Sequence, residues 1–218
     1  DTMSYTPAQD IQFAARQPEG LRRRKDEQEV RFAAKPPNAP NDRVRELARG
    51  YMREAAMDYN EGLGEYASID PNVGMEIADA YDAMANDPTD PQVAEAYEAM
   101  KVETLNQYDY LVENGVEFVP WAGQGEPYPF PNGSRLMAED VRNNNRLFYY
   151  KTINPEEQDT FGQGEVVDNN PLLESANRPT TDSAGDPHDQ TFNDLFRAVH
   201  DYFGHAKEGY GFGPRGEE

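Results

Sequence analysis

The sequence predicts an α+β domain that is mostly helical, with an extended arm in front of it. Three segments between residues 41 and 115 repeat apolar residues at steps of three and four, which is typical of helices with one buried face. Two short apolar runs, at 116–121 and 146–152, have the length of strands. We therefore expect an arm at 1–40, then a single acidic globular domain at 41–218. Within that domain we expect a helical group, a short strand pair, long irregular loops and a C-terminal helix.

The three helices of the first half have clear start and stop signals. Asn41 is a good cap for the first, while Asp70-Pro71 and Asp90-Pro91 open the second and third with a cap followed by proline. Asn114-Gly115 ends the third. Helical spacing of the apolar residues favours core packing over a cofactor slot. The predicted core stripes are Val44, Leu47, Ala48, Tyr51, Met52 and Ala55; Val73, Ile77, Tyr81 and Met84; and Val93, Tyr97, Met100, Thr104, Tyr108 and Leu111.

The second half of the chain predicts shorter elements. Ser134 is expected to cap a short helix, and Asn143-Asn144-Asn145 to form a turn before the second strand. Residues 153–190 are rich in Pro, Gly, Asn and Asp with little periodicity, which predicts a long irregular segment. The last helix should start near Thr191, where Thr191 and Asp194 have the spacing of a capping box. Its apolar stripe consists of Phe192, Leu195, Phe196, Val199 and Phe203.

Composition excludes several classes of function. The 20 Lys+Arg against 41 Asp+Glu give a formal charge of −21, which repels a phosphate backbone and excludes general nucleic-acid binding. Cysteine is absent, so neither a disulfide nor a thiolate metal site can form. No run approaches the roughly 18 apolar residues of a membrane span, and the first residues lack the pattern of a signal peptide. We expect a protein of the cytosol, or of a particle assembled there.

The predicted arm contains a local basic cluster, Arg22-Arg23-Arg24-Lys25, in an otherwise acidic chain. Such a cluster could dock on an acidic surface or on nucleic acid. The acidic residues Asp26, Glu27 and Glu29 follow it at once, so we interpret it as a solvated run of charges. As an alternative role, the arm could mediate self-association of the protein.

All three histidines lie in the last fifth of the chain, at positions 188, 200 and 205. Neutral imidazole beside carboxylates suits Fe²⁺ or Zn²⁺, and two histidines with one carboxylate suit oxygen chemistry at iron. We take His200 and His205 as the candidate nitrogen ligands, with His188 a weaker choice. The candidate oxygen ligands nearby are Asp201, Glu208, Glu217 and Glu218.

The spacing of His200 and His205 raises a geometric question. Residues five apart on an ideal α-helix differ in direction by about 140°, so the two rings would not face one ion. A π-turn or a helix break would bring them together, and Gly204 is where a break costs least. We expect His200 to be partly buried and His205 to lie in the loop beyond the helix. The alternative without a metal is that His200 hydrogen-bonds a carbonyl and His205 caps the helix C-terminus.

The segment His200-Asp201-Tyr202-Phe203-Gly204-His205 resembles the His-Glu-x-x-Gly-His element of the pterin-dependent aromatic amino acid hydroxylases. In that family both histidines bind mononuclear iron, and a glutamate further downstream completes a facial triad of ligands. Asp201 stands where that family has glutamate. The resemblance implies iron ligation by His200 and His205.

A broader resemblance covers residues 41–218. Asn170-Pro171-Leu172-Leu173, Asp194 through His200 and Gly213 through Glu218 are similar to an uncharacterised family of bacteriophage proteins. These proteins occur alone or as segments of very large phage polyproteins, some of them carried in the virion. The resemblance implies a phage origin, with host cytoplasm or virion as location and other virion proteins as partners.

Three functional hypotheses follow from these observations. The first is a phage-encoded, virion-associated domain with a complete or incomplete His/carboxylate metal site. The metal would be a divalent ion, iron or zinc. The second is a metal-dependent enzyme, such as a mononuclear non-haem iron oxygenase, which requires an open coordination position. The third is a purely structural component of an assembly, whose arm and long loop order on neighbouring subunits.

Overall fold

The computed structural model describes residues 36–59, 70–83, 87–123, 128–130, 133–152 and 170–217. Most of the predicted arm, with its basic cluster, lies outside these ranges, as do Met84, Glu218 and the first part of the predicted irregular segment. The division into an arm and one globular domain therefore stays a prediction.

Three helices occupy the first half of the chain: α1 (Asp42–Glu54), α2 (Pro71–Ala83) and α3 (Pro91–Glu113). The Asn41 side chain caps α1 by accepting hydrogen bonds from two backbone N–H groups of its first turn. Asp90 caps α3 in the same way. Helix α3 ends as predicted, with Gly115 following at a φ of 81°, a conformation that favours glycine. The predicted positions of the three helices are confirmed.

Helix α2 forms, but the prediction that its apolar stripe lies in the core is wrong. None of its described residues is buried. Val73, Ile77 and Tyr81 expose 48%, 60% and 61% of their surface. The stripes of α1 and α3, by contrast, contribute buried side chains to the core. Periodicity identifies an apolar face, and contact with the rest of the molecule determines whether that face is covered.

The two predicted strands, β1 (Glu117–Trp121) and β2 (Arg146–Tyr150), pair in parallel. Parallel strands require a crossover connection, and α4 (Ser134–Asn144) lies within it. Along β2, Leu147 and Tyr149 point into the core while their neighbours are half-buried. The short strand pair in the predicted fold class is thus confirmed, and its direction follows from the helix between the strands.

The two ends of α4 differ from prediction in detail. Ser134 is the first residue of the helix and not its cap, and Gly133 precedes it without a capping side chain. At the other end the predicted turn is made by Asn145, which has a left-handed conformation. The Asn145 amide donates to the Gly115 carbonyl at 2.6 Å and its oxygen accepts from the Tyr202 hydroxyl at 2.8 Å. This one side chain connects the start of the strand pair to the C-terminal helix.

The described part of the predicted irregular segment contains a hairpin that the sequence did not reveal. After a 3₁₀ turn at Pro171–Leu173, β3 (Ser175–Thr181) and β4 (Pro187–Thr191) pair in antiparallel fashion. Only Ala176 of β3 and Gln190 of β4 are buried. Because each strand buries a single residue, neither shows the apolar alternation by which strands are usually detected.

The C-terminal part of the chain forms one long helix and one short one. Helix α5 (Phe192–Val199) continues directly into a π-helical segment, His200–Ala206. We call residues 192–206 the composite helix. The predicted capping box at its start is confirmed, because the Thr191 and Asp194 side chains each accept a hydrogen bond from the other's backbone N–H. The last described element is the four-residue helix α6 (Pro214–Glu217).

One hydrophobic core joins α1, α3, α4, the parallel strand pair and the composite helix. Its buried side chains are Val44, Tyr108, Leu111, Val116, Phe118, Phe130, Met137, Val141, Leu147, Tyr149, Ala176, Leu195, Ala198, Val199, Tyr202, Ala206 and Phe212. Among the described residues, no helix combines the length and apolarity needed to cross a bilayer. The mostly helical α+β fold class is confirmed.

Candidate metal centre

The π-helical segment brings the two candidate histidines together. A π-helix hydrogen-bonds residues five apart, so His200 and His205 lie on the same side of it. Their Nε2 atoms are 3.0 Å apart. Of the two geometries that would bring the rings together, a π-turn and a helix break at Gly204, the structure has the π-turn. The expectation that His205 lies in a loop is wrong: it is part of the π-helical segment and only 1% exposed.

Glu217 on α6 faces both histidines. Its Oε2 atom lies 3.1 Å from Nε2 of His200, and its Oε1 atom lies 3.2 Å from Nε2 of His205. Each oxygen of the Glu217 carboxylate thus lies next to one of the two imidazoles. We call His200, His205 and Glu217 the triad.

Electrostatics couples the members of the triad. Burial opposes ionisation of Glu217, but hydrogen bonds with His200 and His205 outweigh it and lower the pKa of this carboxyl to about 2. The hydrogen bond with Glu217 raises the pKa of His200, although burial partly offsets the effect. A carboxylate that stays ionised beside two imidazoles is a suitable donor set for a divalent cation.

Asp201 lies next to the triad. His200, Asp201 and His205 each offer one ligand atom, and these atoms lie within 4.8 Å of one another. Burial raises the pKa of Asp201, and the two histidines act in the opposite direction. This carboxylate can therefore serve as a fourth ligand or remain beside the ion.

Aromatic packing holds the two imidazole rings. The Phe212 ring meets the His205 ring edge-on, with centroids 4.8 Å apart, and Phe196 stacks on His200 at 6.0 Å. The Nδ1 atom of His205 is buried without a hydrogen-bond partner among the described residues. Ligating histidines commonly donate this second N–H to a neighbouring acceptor. Here packing against Phe212, and not such a hydrogen bond, fixes the orientation of the His205 ring.

The rest of the molecule holds the composite helix between the two histidines and just beyond the second one. Tyr202, fully buried, packs edge-on against Phe118 at 5.9 Å. At the end of the helix, the Asn41 N–H bonds the Lys207 carbonyl at 2.9 Å. These contacts place the histidines relative to the core, so the site is built on rigid elements.

Glu208, predicted as an oxygen ligand, is not brought to the triad. Its Oε1 and Oε2 atoms accept hydrogen bonds from the Arg45 guanidinium at 3.3 and 2.6 Å. The Glu208 side chain is only 2% exposed, so this ion pair is nearly buried. Sequence reasoning missed Arg45 as its partner because the two residues are 163 positions apart and no local pattern links them.

His188 is also kept away from the triad. Its Nε2 atom lies 2.9 Å from the carboxylate of Asp194, which also caps the composite helix. Of the candidates within the described residues, the structure therefore brings together His200, Asp201, His205 and Glu217. Comparison with protein-family models, with curated proteins and with solved structures found no match to this chain.

Proposed function

We propose that this chain binds one divalent metal ion through His200, His205 and Glu217, in a site of two histidines and one carboxylate. The observation that carries the proposal is the proximity of three side chains: the two Nε2 atoms lie 3.0 Å apart, and they lie 3.1 and 3.2 Å from Oε2 and Oε1 of Glu217 respectively. The donor set contains only nitrogen and oxygen, which suits Fe²⁺ or Zn²⁺.

The separation of the two Nε2 atoms fits adjacent ligands of one ion. Two nitrogens about 2.1 Å from an ion are about 3.0 Å apart at a right angle and about 3.4 Å apart at the tetrahedral angle. The observed 3.0 Å is compatible with a right angle, as in a facial triad, and it is also the length of a hydrogen bond between the two imidazoles. Such a triad leaves coordination positions open on the opposite side of the ion.

The arrangement is less well explained without an ion. If both histidines carried a proton on Nε2, each could donate to Glu217, but two N–H dipoles of like orientation would stand 3.0 Å apart. If only one carried the proton, it could donate to Glu217 or to the lone pair of the other imidazole at 3.0 Å, but that lone pair would also lie near a carboxylate oxygen. A cation attracts both lone pairs and the carboxylate at once.

The biological setting of the proposal is a phage-encoded, virion-associated domain that acts in the host cytoplasm or in the particle. The support is the similarity of segments 170–173, 194–200 and 213–218 to phage proteins. Its partners are then other virion proteins or a second copy joined through the arm. The test is to look for peptides of this chain by mass spectrometry in purified particles of the phage that encodes it.

An enzymatic role is the second candidate, and the donor set of two histidines and one carboxylate supports it. A facial triad on Fe²⁺ leaves positions for oxygen and a substrate, as in mononuclear non-haem iron oxygenases. The local resemblance to the aromatic amino acid hydroxylases points in the same direction. The test is nitric oxide binding to the anaerobic ferrous protein. A new absorption band would show an open coordination position, and the absence of such a band would contradict the enzyme candidate.

The decisive experiment for the metal site is metal analysis of the purified protein by mass spectrometry, followed by anaerobic titration with Fe²⁺ and Zn²⁺. We expect close to one equivalent of bound metal. The variants His200→Ala and Glu217→Gln each remove one ligand, so we expect affinity to fall by at least about 100-fold, more than the usual effect of an outer-shell change.

The matched control is His188→Gln, which replaces a histidine bonded to Asp194 outside the triad. This variant should keep its full metal content. Asp201→Asn tests whether Asp201 is a fourth ligand or only a neighbouring carboxylate. If Asp201 binds the ion, this variant should lose as much metal affinity as Glu217→Gln. A wild-type protein that binds neither ion would contradict the proposal and favour a purely structural component.

A further inference from the structure

The chain between His205 and Glu217 folds back on itself within twelve positions, and this reversal brings the carboxylate to the imidazoles. The His205 carbonyl accepts hydrogen bonds from the N–H groups of Gly209 and Tyr210 at 2.9 and 3.1 Å. Gly209, at a φ of 79°, ends the helix there. The Gly213 carbonyl then accepts a bond from the Gly216 N–H at 2.7 Å and opens α6.

Within this reversal, the backbone of Gly216 lies directly against that of Gly211. A Cβ atom at position 216 would overlap the Gly211 carbonyl oxygen, and would lie 2.8 Å from its carbon and 3.1 Å from its nitrogen. All three atoms belong to the main chain, so no flexible side chain can move aside. The neighbouring residue, Phe212, is buried against the His205 ring, which restricts any shift of Gly211.

We propose that Gly216 is a positioning residue for the metal site: because it lacks a side chain, α6 can close on Gly211 and hold Glu217 against both histidines. This inference rests on the proposed metal site. Gly216 touches no ion itself. A side chain at this position separates α6 from Gly211, and the adjacent Glu217 moves away from the two Nε2 atoms with it.

Two other glycines of the same region, Gly204 and Gly213, provide controls, because a Cβ at either position would not overlap the backbone. A Cβ at Gly204, between the two histidines, would lie 3.7 Å from atoms of the His200 ring, which is ordinary contact. At Gly213 a Cβ would meet no described atom within 4 Å. Helix propensity alone predicts that Gly216→Ala stabilises α6, because alanine favours a helix over glycine by about 1 kcal/mol.

The test compares Gly216→Ala with Gly213→Ala and Gly204→Ala by anaerobic Fe²⁺ titration. We expect Gly216→Ala to lower the affinity by at least about 10-fold, the effect typical of residues that orient a ligand. The two control variants should bind as the wild type does. Far-ultraviolet circular dichroism and the unfolding midpoint report whether Gly216→Ala still folds.

A second measurement reads the position of Glu217 without any metal. Nuclear Overhauser contacts between Glu217 and the ring protons of His205 should be present in the wild type and in Gly213→Ala, and lost in Gly216→Ala. Unchanged affinity or unchanged contacts in Gly216→Ala overturn the inference. If the wild type binds no metal while the contacts are still lost in Gly216→Ala, the positioning role holds and the metal proposal fails.

Discussion

Helix α2 and the composite helix have the same kind of sequence signal and opposite surroundings. Both repeat large apolar residues at helical spacing after a good start signal. In α2 no described residue is buried, and Ile77 exposes 60% of its surface. In the composite helix Leu195 and Tyr202 are fully buried. The difference lies in the long-range contacts: the composite helix packs on the core and is held at both ends.

This difference shows where a site can be built. A metal site needs ligands held within a fraction of an ångström, which requires neighbours that fix their rotamers. The composite helix has those neighbours in Phe212, Asn145 and the start of α1. The described contacts of α2 offer nothing comparable. Substitutions in and around these elements should therefore differ in their effect on stability.

The largest expected effect comes from removing the ion pair that joins α1 to the end of the composite helix. Arg45→Met leaves the Glu208 carboxylate buried without its partner, so the free energy of unfolding should fall by about 3–5 kcal/mol. Urea denaturation measures the change. Arg49→Met is the matched control, because its partner Glu46 is exposed and the pair should contribute less than about 1 kcal/mol. Equal losses in the two variants would contradict the contrast between the buried ion pair and the exposed one.

A direct comparison of the two helices uses one truncation in each. Leu195→Ala removes a fully buried side chain and should cost about 2–5 kcal/mol in unfolding free energy. Ile77→Ala removes a side chain that is 60% exposed and should change stability by no more than about 0.5 kcal/mol. Thermal or urea unfolding measures both. A large loss in Ile77→Ala would show that something covers α2 in solution, and would remove the contrast.

The turn after the composite helix offers a third test. Gly209→Ala places a Cβ against backbone atoms of Asn38 and Ala39 at a φ of 79°. Gly185→Ala has the same kind of backbone conformation, with a φ of 90°, and meets no described atom. We expect Gly209→Ala to cost about 1–3 kcal/mol more than Gly185→Ala, because overpacking is added to the conformational cost. Equal midpoints in urea would show that residues 38–39 do not press on this turn.

The smallest effect is expected in the β3–β4 hairpin. Its strands bury one residue each, which is more than α2 buries and less than the composite helix buries. Burial opposes the charge of Asp182, but bonds from Lys151 and from the backbone N–H groups of Asp186 and Ala184 lower its pKa below 3.8. Because the pKa of Asp182 is lower in the folded protein than its ordinary value of 3.8, ionised Asp182 stabilises the fold above pH 3.8. This contribution is lost as the pH falls through the lower pKa of the folded state.

The corresponding measurement is the free energy of unfolding as a function of pH between about 6 and 2. Asp182→Asn should flatten the acid part of the curve, whereas Asp186→Asn, which changes an exposed carboxyl of the same turn, should leave it unchanged. A curve for Asp182→Asn that follows the wild type at every pH would assign the acid loss to other carboxyls.

Prediction from sequence succeeded where the signal is local. Caps such as Asn41 and Asp90, the stop at Gly115 and the capping box of Thr191 involve residues within a few positions of each other. The hairpin was missed because each of its strands buries only one residue, which leaves no period to detect. The candidate site was predicted by residue type, since histidine is scarce and clustered here.

What the sequence determined by itself is the set of helices, the short strands and the list of metal-competent side chains, because these depend on neighbours along the chain. The tertiary structure decided which of them lie close together. It selected Glu217 and assigned Glu208 to Arg45. It also covered the stripe of the composite helix and left that of α2 exposed. The physical reason is that ligand geometry and burial depend on contacts between distant segments, which local propensity does not encode.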